Sequence, residues 1–479
     1  MAGAKGNLIS QALSKGVMVI ADFNRNRLKS DKPNPFLEGI HKPLPAEKTL
    51  TDLRVTGTIP PGLDGRYLRI GPNPITAPNP GTYYWFMGDG MIHGVRLKQG
   101  KALWYRNRWI RSHAVSEALG EPQAAGPHTE PFDIVNTNIM AHAGETWALV
   151  EAGGCPVRID EELNTIAYDP FGGTLKGGSF SAHPHRDVAT GELHAVCYAA
   201  ESLTEIRHVV VDTQGKVRRE EPVTVQDGPS IHDCMITEKY VIILDMPVTF
   251  SIKSLLGGLG FPYKWNPKHP ARVGLLAKDG KGTDTIWCAI DPCYVFHTCN
   301  AFDNPDGTVT FDGCAYDTVF SDVTQGPETA KIAFERWQID PVAKRATRTV
   351  IDSTPQEFPR INETLVGRPY RYVYSLMVPK PDAPQALKDA KLLKHDLVTG
   401  RRQIHDLGLG RVPGEFAFVP AADAHSEDDG WLMGLVLNPV DETSELVIIN
   451  AQDFEAAPQA QIHIPHRIPP GFHGNWVPA

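Results

Sequence analysis

Seven times along the chain, a β-branched run meets a short polar turn, usually built on Asp, and a second extended run follows. The instances are "HGVRLKQGKALWYRNRWI", "VRIDEELNTIAY", "HVVVDTQGKVRREEPVTV", "TIWCAIDPCYVF", "ERWQIDPVAKRATRTVI", "LLKHDLVTGRRQIHDL" and "LVIINAQDFEAAPQAQIHI", with turns near Lys98, Asp160, Asp212, Asp291, Asp340, Asp396 and Asn450. β-Branched strands on either side of Asp or Gly turns are hairpin signals. Most of the turns are about 50–60 residues apart, and four-stranded propeller blades take roughly 40–50 residues before loops lengthen them. The recurrence predicts an all-β fold, a seven-bladed β-propeller. The competing arrangement is a set of ordinary hairpins in a sandwich or a mixed α+β fold. The 43 Gly and 40 Pro are spread along all 479 residues, which favours many short strands over long helices. Helical periodicity is confined to the N-terminal stretch, "SHAVSEALG" and "APQALKDA".

The chain divides into an N-terminal amphipathic segment, 1–34, and a single propeller domain, 35–479. In the first, Leu8, Ile9, Leu13 and Val17 share a helical face while Lys15, Arg25 and Arg27 lie elsewhere, a pattern suited to a membrane surface or to a helix docked on the protein. A second apolar stretch, "FSIKSLLGGLGFPYKWNPKH" at 250–269, has the character of a membrane or lipophilic-ligand contact, or of packing under a loop. No apolar run reaches the roughly 18–20 residues of a membrane span. The formal charge of −9 argues against nucleic acid, which needs clustered cations. Seven cysteines include no C-x-x-C pair, so they read as reduced, buried thiols of a cytoplasmic protein, with peripheral membrane association through the two apolar segments. Asn362-Glu363-Thr364 is a formal glycosylation sequon without other signs of secretion.

Histidines carry the chemical question. In "AHPHRDV", His183 and His185 fall on one face of an extended strand. A propeller brings one strand of every blade to its axis, so metal ligands there would be single histidines tens of residues apart, unlike the tight spacing of a zinc finger. His232 in "DGPSIHDCMI", His297 in "CYVFHTCNAFD" and His473 in "PPGFHGNWVPA" stand in such apolar or Gly-rich settings. Any one of 18 histidines taken alone reads as structural.

Taken in order, "GRYLRIGPNP", "WFMGDGMIHGV", "AHPHRDVATGEL", "IHDCMIT", "FHTCNAFD", "EFPRIN" with "GRPYRYVYSL", "GEFAFVP" and "GFHG" resemble the serial signature of the carotenoid cleavage oxygenases, from about residue 35 onward. The resemblance implies a seven-bladed propeller with a helical and loop dome over one face. It implies ferrous iron held by His183, His232, His297 and His473. His185 is then not a ligand, and packs or meets solvent near the strand end. By the same resemblance Glu151, Glu357 and Glu415 orient His232, His297 and His473, leaving His183 without an acid. Thr137 matches the position whose methyl group shields one open iron site, and Phe86 and Phe296 match positions lining the substrate tunnel.

These roles make physical sense. Imidazole suits iron, copper, zinc and nickel alike, so the resemblance and not the ligand type selects iron. A ligating ring needs its other nitrogen fixed, and a buried carboxylate needs a partner. Aromatic walls suit a flat polyene. Splitting one C=C into two carbonyls with both atoms of O₂ draws all four electrons from the substrate. The chain accordingly lacks a dinucleotide fingerprint; "GLGRVPG" at 408–414 has the wrong spacing. Stilbenoid-cleaving members use a lysine after "HAG", where this chain has Glu145. The expectation is an iron(II) dioxygenase that cleaves a carotenoid or apocarotenoid with O₂, needing no obligate protein partner. The alternatives are a stilbenoid or phenylpropenoid alkene dioxygenase and a non-catalytic, ligand-binding propeller.

Overall fold

In a computed structural model of the chain, the recurrent hairpins become parts of antiparallel sheets. The structure describes residues 20–21, 23–25, 27–28, 33–128, 133–200, 202–321, 331–378 and 391–479. Their strands form five sheets of four to six strands, one eight-stranded sheet and a two-stranded ribbon. Each blade is a meander. Strands His185–Arg186, Leu193–Cys197, Glu205–Val211 and Val217–Thr224, for example, lie side by side in chain order, all antiparallel. The edge strands Gly474–Pro478 and Asn138–His142 touch, and His185–Arg186, Cys234–Ile236, Tyr294–Asp303 and Gln356–Arg360 make contacts from one to the next. This is the β-propeller arrangement.

Six of the seven turns close hairpins, and their side chains explain why the sequence displays them. The Asp212 carboxylate accepts the N–H groups of Gln214 and Lys216, and Asp340 accepts those of Val342 and Ala343. Gln99 and Gly100 turn the first hairpin with φ of 49° and 72°, the left-handed pair that suits the twist of a two-residue loop. Asp291 is the exception. Strand Ile286–Ala289 pairs with Arg272–Ala277, and Tyr294–Asp303 pairs with Val309–Tyr316. Asp291 therefore lies in the crossover between two meanders, which produces the same strand–bend–strand pattern as a hairpin.

The expected seven separate blades are not what the sheets show: five stand alone. The eight-stranded sheet contains the meander from Cys234–Ile236 to Ile286–Ala289 and the one from Tyr294–Asp303 to Arg345–Asp352. They fuse because Ala289 comes close enough to pair, in parallel, with Arg345. Remote segments stitch the first and last sheets. Gly474–Pro478 pairs with Gly65–Pro72, and Val55–Gly57 pairs with Ala460–Ile464, covering edges that would otherwise invite association.

The apolar core lies between sheets. Every residue of Val309–Tyr316 is buried, and Phe311 stacks on Trp337 with ring centres 4.5 Å apart. Helix is scarce: among the described residues, 20–21, 23–25 and 27 are helical, and two short α-helices follow later in the chain. His113–Leu119 arises from "SHAVSEALG", with the Ser112 hydroxyl accepting Val115 N–H at one end and Gly120 in the left-handed conformation at the other. Ile252–Leu256 is capped by Ser251 in the same way. The predicted N-terminal face of Leu8, Ile9, Leu13 and Val17, and the "APQALKDA" stretch, lie outside the described residues. No helix among the described residues is long and apolar enough to cross a membrane. All seven cysteines are buried and free. Asn362 of the sequon is also buried, its amide donating to the Glu427 carbonyl.

Candidate metal centre

Four edge strands bring the four predicted histidines together. His183 and His232 each stand two residues before such a strand, His473 immediately precedes one, and His297 lies within one. Donor nitrogens of His183, His232 and His297 all lie within 4.8 Å of one another. The Nε2 atoms of His232 and His297 are 3.4 Å apart. The ring centre of His473 is 4.6 Å from that of His183 and 4.8 Å from that of His297. His185 is not in this cluster.

The outer nitrogens of three rings meet carboxylates. His232 Nδ1 meets Glu151 Oε1 at 2.9 Å, His297 Nδ1 meets Glu357 Oε2 at 2.6 Å, and His473 Nδ1 lies 3.2 Å from Glu415 Oε2. A carboxylate accepts, so each ring carries its proton on Nδ1 and turns the Nε2 lone pair inward. Two such lone pairs facing each other at 3.4 Å repel unless a cation lies between them. His183 Nε2 is buried without a partner. Burial, reinforced by the surrounding imidazoles, pushes the pKa of His183 well below its ordinary value, so the ring is neutral. An orphaned buried nitrogen of this kind is rare in a folded interior. Neutral nitrogens converging with their far sides anchored are what a divalent metal requires, so the residues fit the implied ion.

Local backbone irregularity aims these groups. The register of strand Tyr294–Asp303 shifts between Val295 and Thr298, the stretch that holds His297, and again between Thr298 and Asn300. Strand Gln356–Arg360 shifts between Glu357 and Arg360, with Phe358 at a φ of 52°. Bulges re-aim side chains in this way beside functional sites. Phe358 then stacks on the His297 ring at 4.8 Å.

Burial and charge compete at two of the pairs. Burial opposes ionisation of Glu415, but His473, Arg360 and the Gly474 N–H outweigh it and hold the carboxyl at about 2. His473 is itself lowered, mainly by burial. His297 is raised, because Glu357 overcomes its desolvation.

Three contributors escaped the sequence reading. Tyr316 donates its hydroxyl to Glu357 Oε1 at 2.7 Å, and Arg360 reaches Glu415 at 3.1 Å. Buried Asp233 accepts from Thr298 N–H at 2.9 Å, from the Thr298 hydroxyl at 2.8 Å and from Cys234 N–H at 2.7 Å, and it faces His185 Nε2 at 3.0 Å. His185 therefore has a carboxylate partner, where the sequence suggested only packing or solvent. Arg360 and Asp233 stand inside the quoted "EFPRIN" and "IHDCMIT", but a single arginine or aspartate carries no spacing signal.

A cavity of about 1040 Å³ opens beside the histidines, lined by Thr137, Phe86 and Phe296 among others. The Thr137 carbonyl accepts His473 N–H at 3.2 Å. Phe86 meets Phe261 and Phe472 edge-on, each at 5.6 Å. Phe296 stands edge-on to His232 at 5.2 Å and is only 6% exposed, so it is core as much as wall. The 250–269 stretch supplies Phe250, Leu255 and Phe261 to the same wall. Glu145 is not in the lining. It begins a strand and lies 4.0 Å from Arg158.

Fold and site together define a β-propeller metalloenzyme with an apolar cavity. The chain belongs to the family described as retinal pigment epithelial membrane protein, whose pattern matches residues 41–478, and it is an oxygenase of the carotenoid cleavage class. It is 41% identical to a carotenoid cleavage oxygenase of Mycobacterium tuberculosis, covering 94% of this chain and 98% of that one. It is 31% identical to the apocarotenoid-15,15'-oxygenase of Synechocystis, covering 94% and 97%. Among solved structures, a cobalt-substituted form of the Synechocystis enzyme superposes with a TM-score of 0.79 at 28% identity, covering 91% and 97%. The lignostilbene dioxygenase of Pseudomonas brassicacearum superposes at 0.83 with 26% identity, covering 94% and 100%.

Proposed function

We propose that the chain is a non-haem iron(II) dioxygenase that cleaves one C=C bond of a carotenoid or apocarotenoid with O₂, giving two carbonyl products. The observation that carries this reading is the convergence of His183, His232, His297 and His473, three of them anchored through Nδ1 by Glu151, Glu357 and Glu415. Bound there, ferrous iron supplies the one-electron chemistry that spin-forbidden O₂ needs. The three glutamates keep the protons on Nδ1 and fix ring orientation, Thr137 narrows the approach with its methyl group, and Phe86 and Phe296 hold the flat polyene by apolar burial. Water is kept out by the same walls. The alkene supplies all four electrons, so no reducing cofactor enters.

The blade count belongs to this reading: taking the two meanders of the eight-stranded sheet separately gives seven. So does the division into a segment 1–34 and a catalytic propeller 35–479. We place the protein in the cytoplasm, where buried free thiols stay reduced, with peripheral membrane contact at the cavity mouth. Ile20, Phe23 and Ile252 are 51%, 59% and 50% exposed. Asn24 Nδ2 donates to the Leu256 carbonyl at 2.7 Å, which ties the two apolar segments together.

The likeness to the lignostilbene dioxygenase favours an aryl-alkene substrate as the second reading. Among the described residues no lysine lines the cavity to polarise a phenol, so the polyene reading is preferred. Incubating iron-loaded protein with a long-chain apocarotenal, and separately with resveratrol, then weighing the products, decides between them. Two carbonyl fragments from the polyene are expected; cleavage of resveratrol alone would reverse the order.

A further inference from the structure

Arg69, on strand Gly65–Pro72, is 3% exposed yet lines the cavity. Its Nη2 donates to the Pro469 carbonyl at 2.5 Å, and its Nε is buried without a hydrogen-bond partner. Among the described residues its electrostatic neighbours are the phenols Tyr67 and Tyr105 and the buried His93, and no carboxylate pairs with it. Arg360, by contrast, has both Glu415 and Glu363. A guanidinium cannot shed its charge by deprotonation, and a buried charge without a partner is costly. Arg69 is also close to the histidines. A Cβ at Gly471, two residues before His473, would approach its Nε at 2.9 Å, and one at Gly414, next to Glu415, would lie 3.6 Å from Nη1. The surrounding cavity wall is largely apolar, with Leu435, Ile468 and Pro470 nearby in the lining.

We propose that Arg69 receives the oxygen-bearing end of the polyene, a carbonyl or carboxylate, and thereby selects apocarotenoids over hydrocarbon carotenes. The proposal rests on the reading that the cavity takes a polyene. A carbonyl or carboxylate oxygen accepts from the guanidinium where it lines the cavity, whereas a hydrocarbon end leaves the buried charge without a partner. Holding one end also fixes the register, so that one particular double bond faces the histidine cluster.

The test is ligand binding to metal-free protein, read by quenching of tryptophan fluorescence; Trp85 lines the same cavity. Three polyenes of equal length are compared, ending in an aldehyde, a carboxylate or a methyl group. The native protein is expected to bind at least one oxygenated ligand about tenfold or more tightly than the hydrocarbon, the worth of a hydrogen bond to a charged group. The aldehyde and carboxylate arms separate the two oxygen chemistries. Arg69→Met is expected to abolish the preference while the hydrocarbon's affinity stays within about twofold, since the wall is otherwise kept. Equal binding of all three ligands by the native protein, or an intact preference in Arg69→Met, overturns the proposal. If Arg69→Met does not fold, the native comparison decides alone. The measurement uses neither iron nor turnover, so its failure is distinct from a failure to cleave carotenoids.

Discussion

His297 donates through Nδ1 to Oε2 of Glu357 across 2.6 Å, and both residues sit on bulged stretches of neighbouring edge strands. The other carboxylate oxygen takes the Tyr316 hydroxyl, so the acid is fixed before it fixes the imidazole. Glu357→Gln should therefore cost roughly 10–100-fold in iron affinity or cleavage rate, the usual effect of losing such support. Tyr316→Phe should cost only several-fold, the net worth of about 1 kcal/mol for one hydrogen bond. Iron content after dialysis and initial rates read both. A Glu357→Gln protein that keeps full iron and full rate would contradict the assignment.

Thr137 presents a methyl group and a hydroxyl, and its hydroxyl donates to Asn136 Oδ1 at 3.0 Å. If the methyl is what narrows the approach to the metal, Thr137→Val should keep cleavage near native and Thr137→Ala should change it, both with iron retained and stability within about 1 kcal/mol. Steady-state kinetics on the pair check this. Loss of activity in Thr137→Val alone would transfer the role to the hydroxyl.

How much of this was legible in the sequence follows from where information is local. Hairpins such as those at Asp212 and Asp340 announce themselves because the Asp side chain caps its own turn within four residues. Asp291 misled, because a crossover bend between sheets has the same local chemistry as a hairpin bend. Ala289 and Arg345 fused two meanders through a single long-range pair, which no local pattern records. The histidines and glutamates were found through ordered motifs, but Tyr316, Asp233 and Arg69 matter only through what folds against them. A tyrosine or arginine in a strand looks the same in sequence whether or not it has a partner.

Exposed Phe23 and Ile252 lie on segments joined by the Asn24–Leu256 hydrogen bond. Each should insert into a lipid surface, with burial worth about 1.5–3 kcal/mol per side chain. Phe23→Glu with Ile252→Glu should then abolish co-sedimentation with neutral phospholipid vesicles and leave thermal stability nearly unchanged. Unaltered sedimentation would remove the membrane contact from the account.

His269 is buried between two carboxylates, 3.0 Å from Asp227 and 2.7 Å from Asp245. Burial works against its protonation, but the two acids outweigh it and raise its pKa above the ordinary 6.5. A raised folded-state pKa stabilises fully below the unfolded value, and that contribution is lost as pH rises through the folded value. Native protein should therefore lose thermal stability relative to His269→Asn as pH rises above about 6.5. Melting temperatures of both proteins across that window test the sign; a parallel decline in both would refute it.

The most direct test of the whole account is the metal content of the purified, folded chain, native and with His183, His232, His297 or His473 changed singly to alanine. The account predicts about one iron per native chain after anaerobic loading, and its loss in every one of the four variants that still folds. A folded native chain that takes up no iron, or variants that hold it as firmly as the native chain, would contradict it.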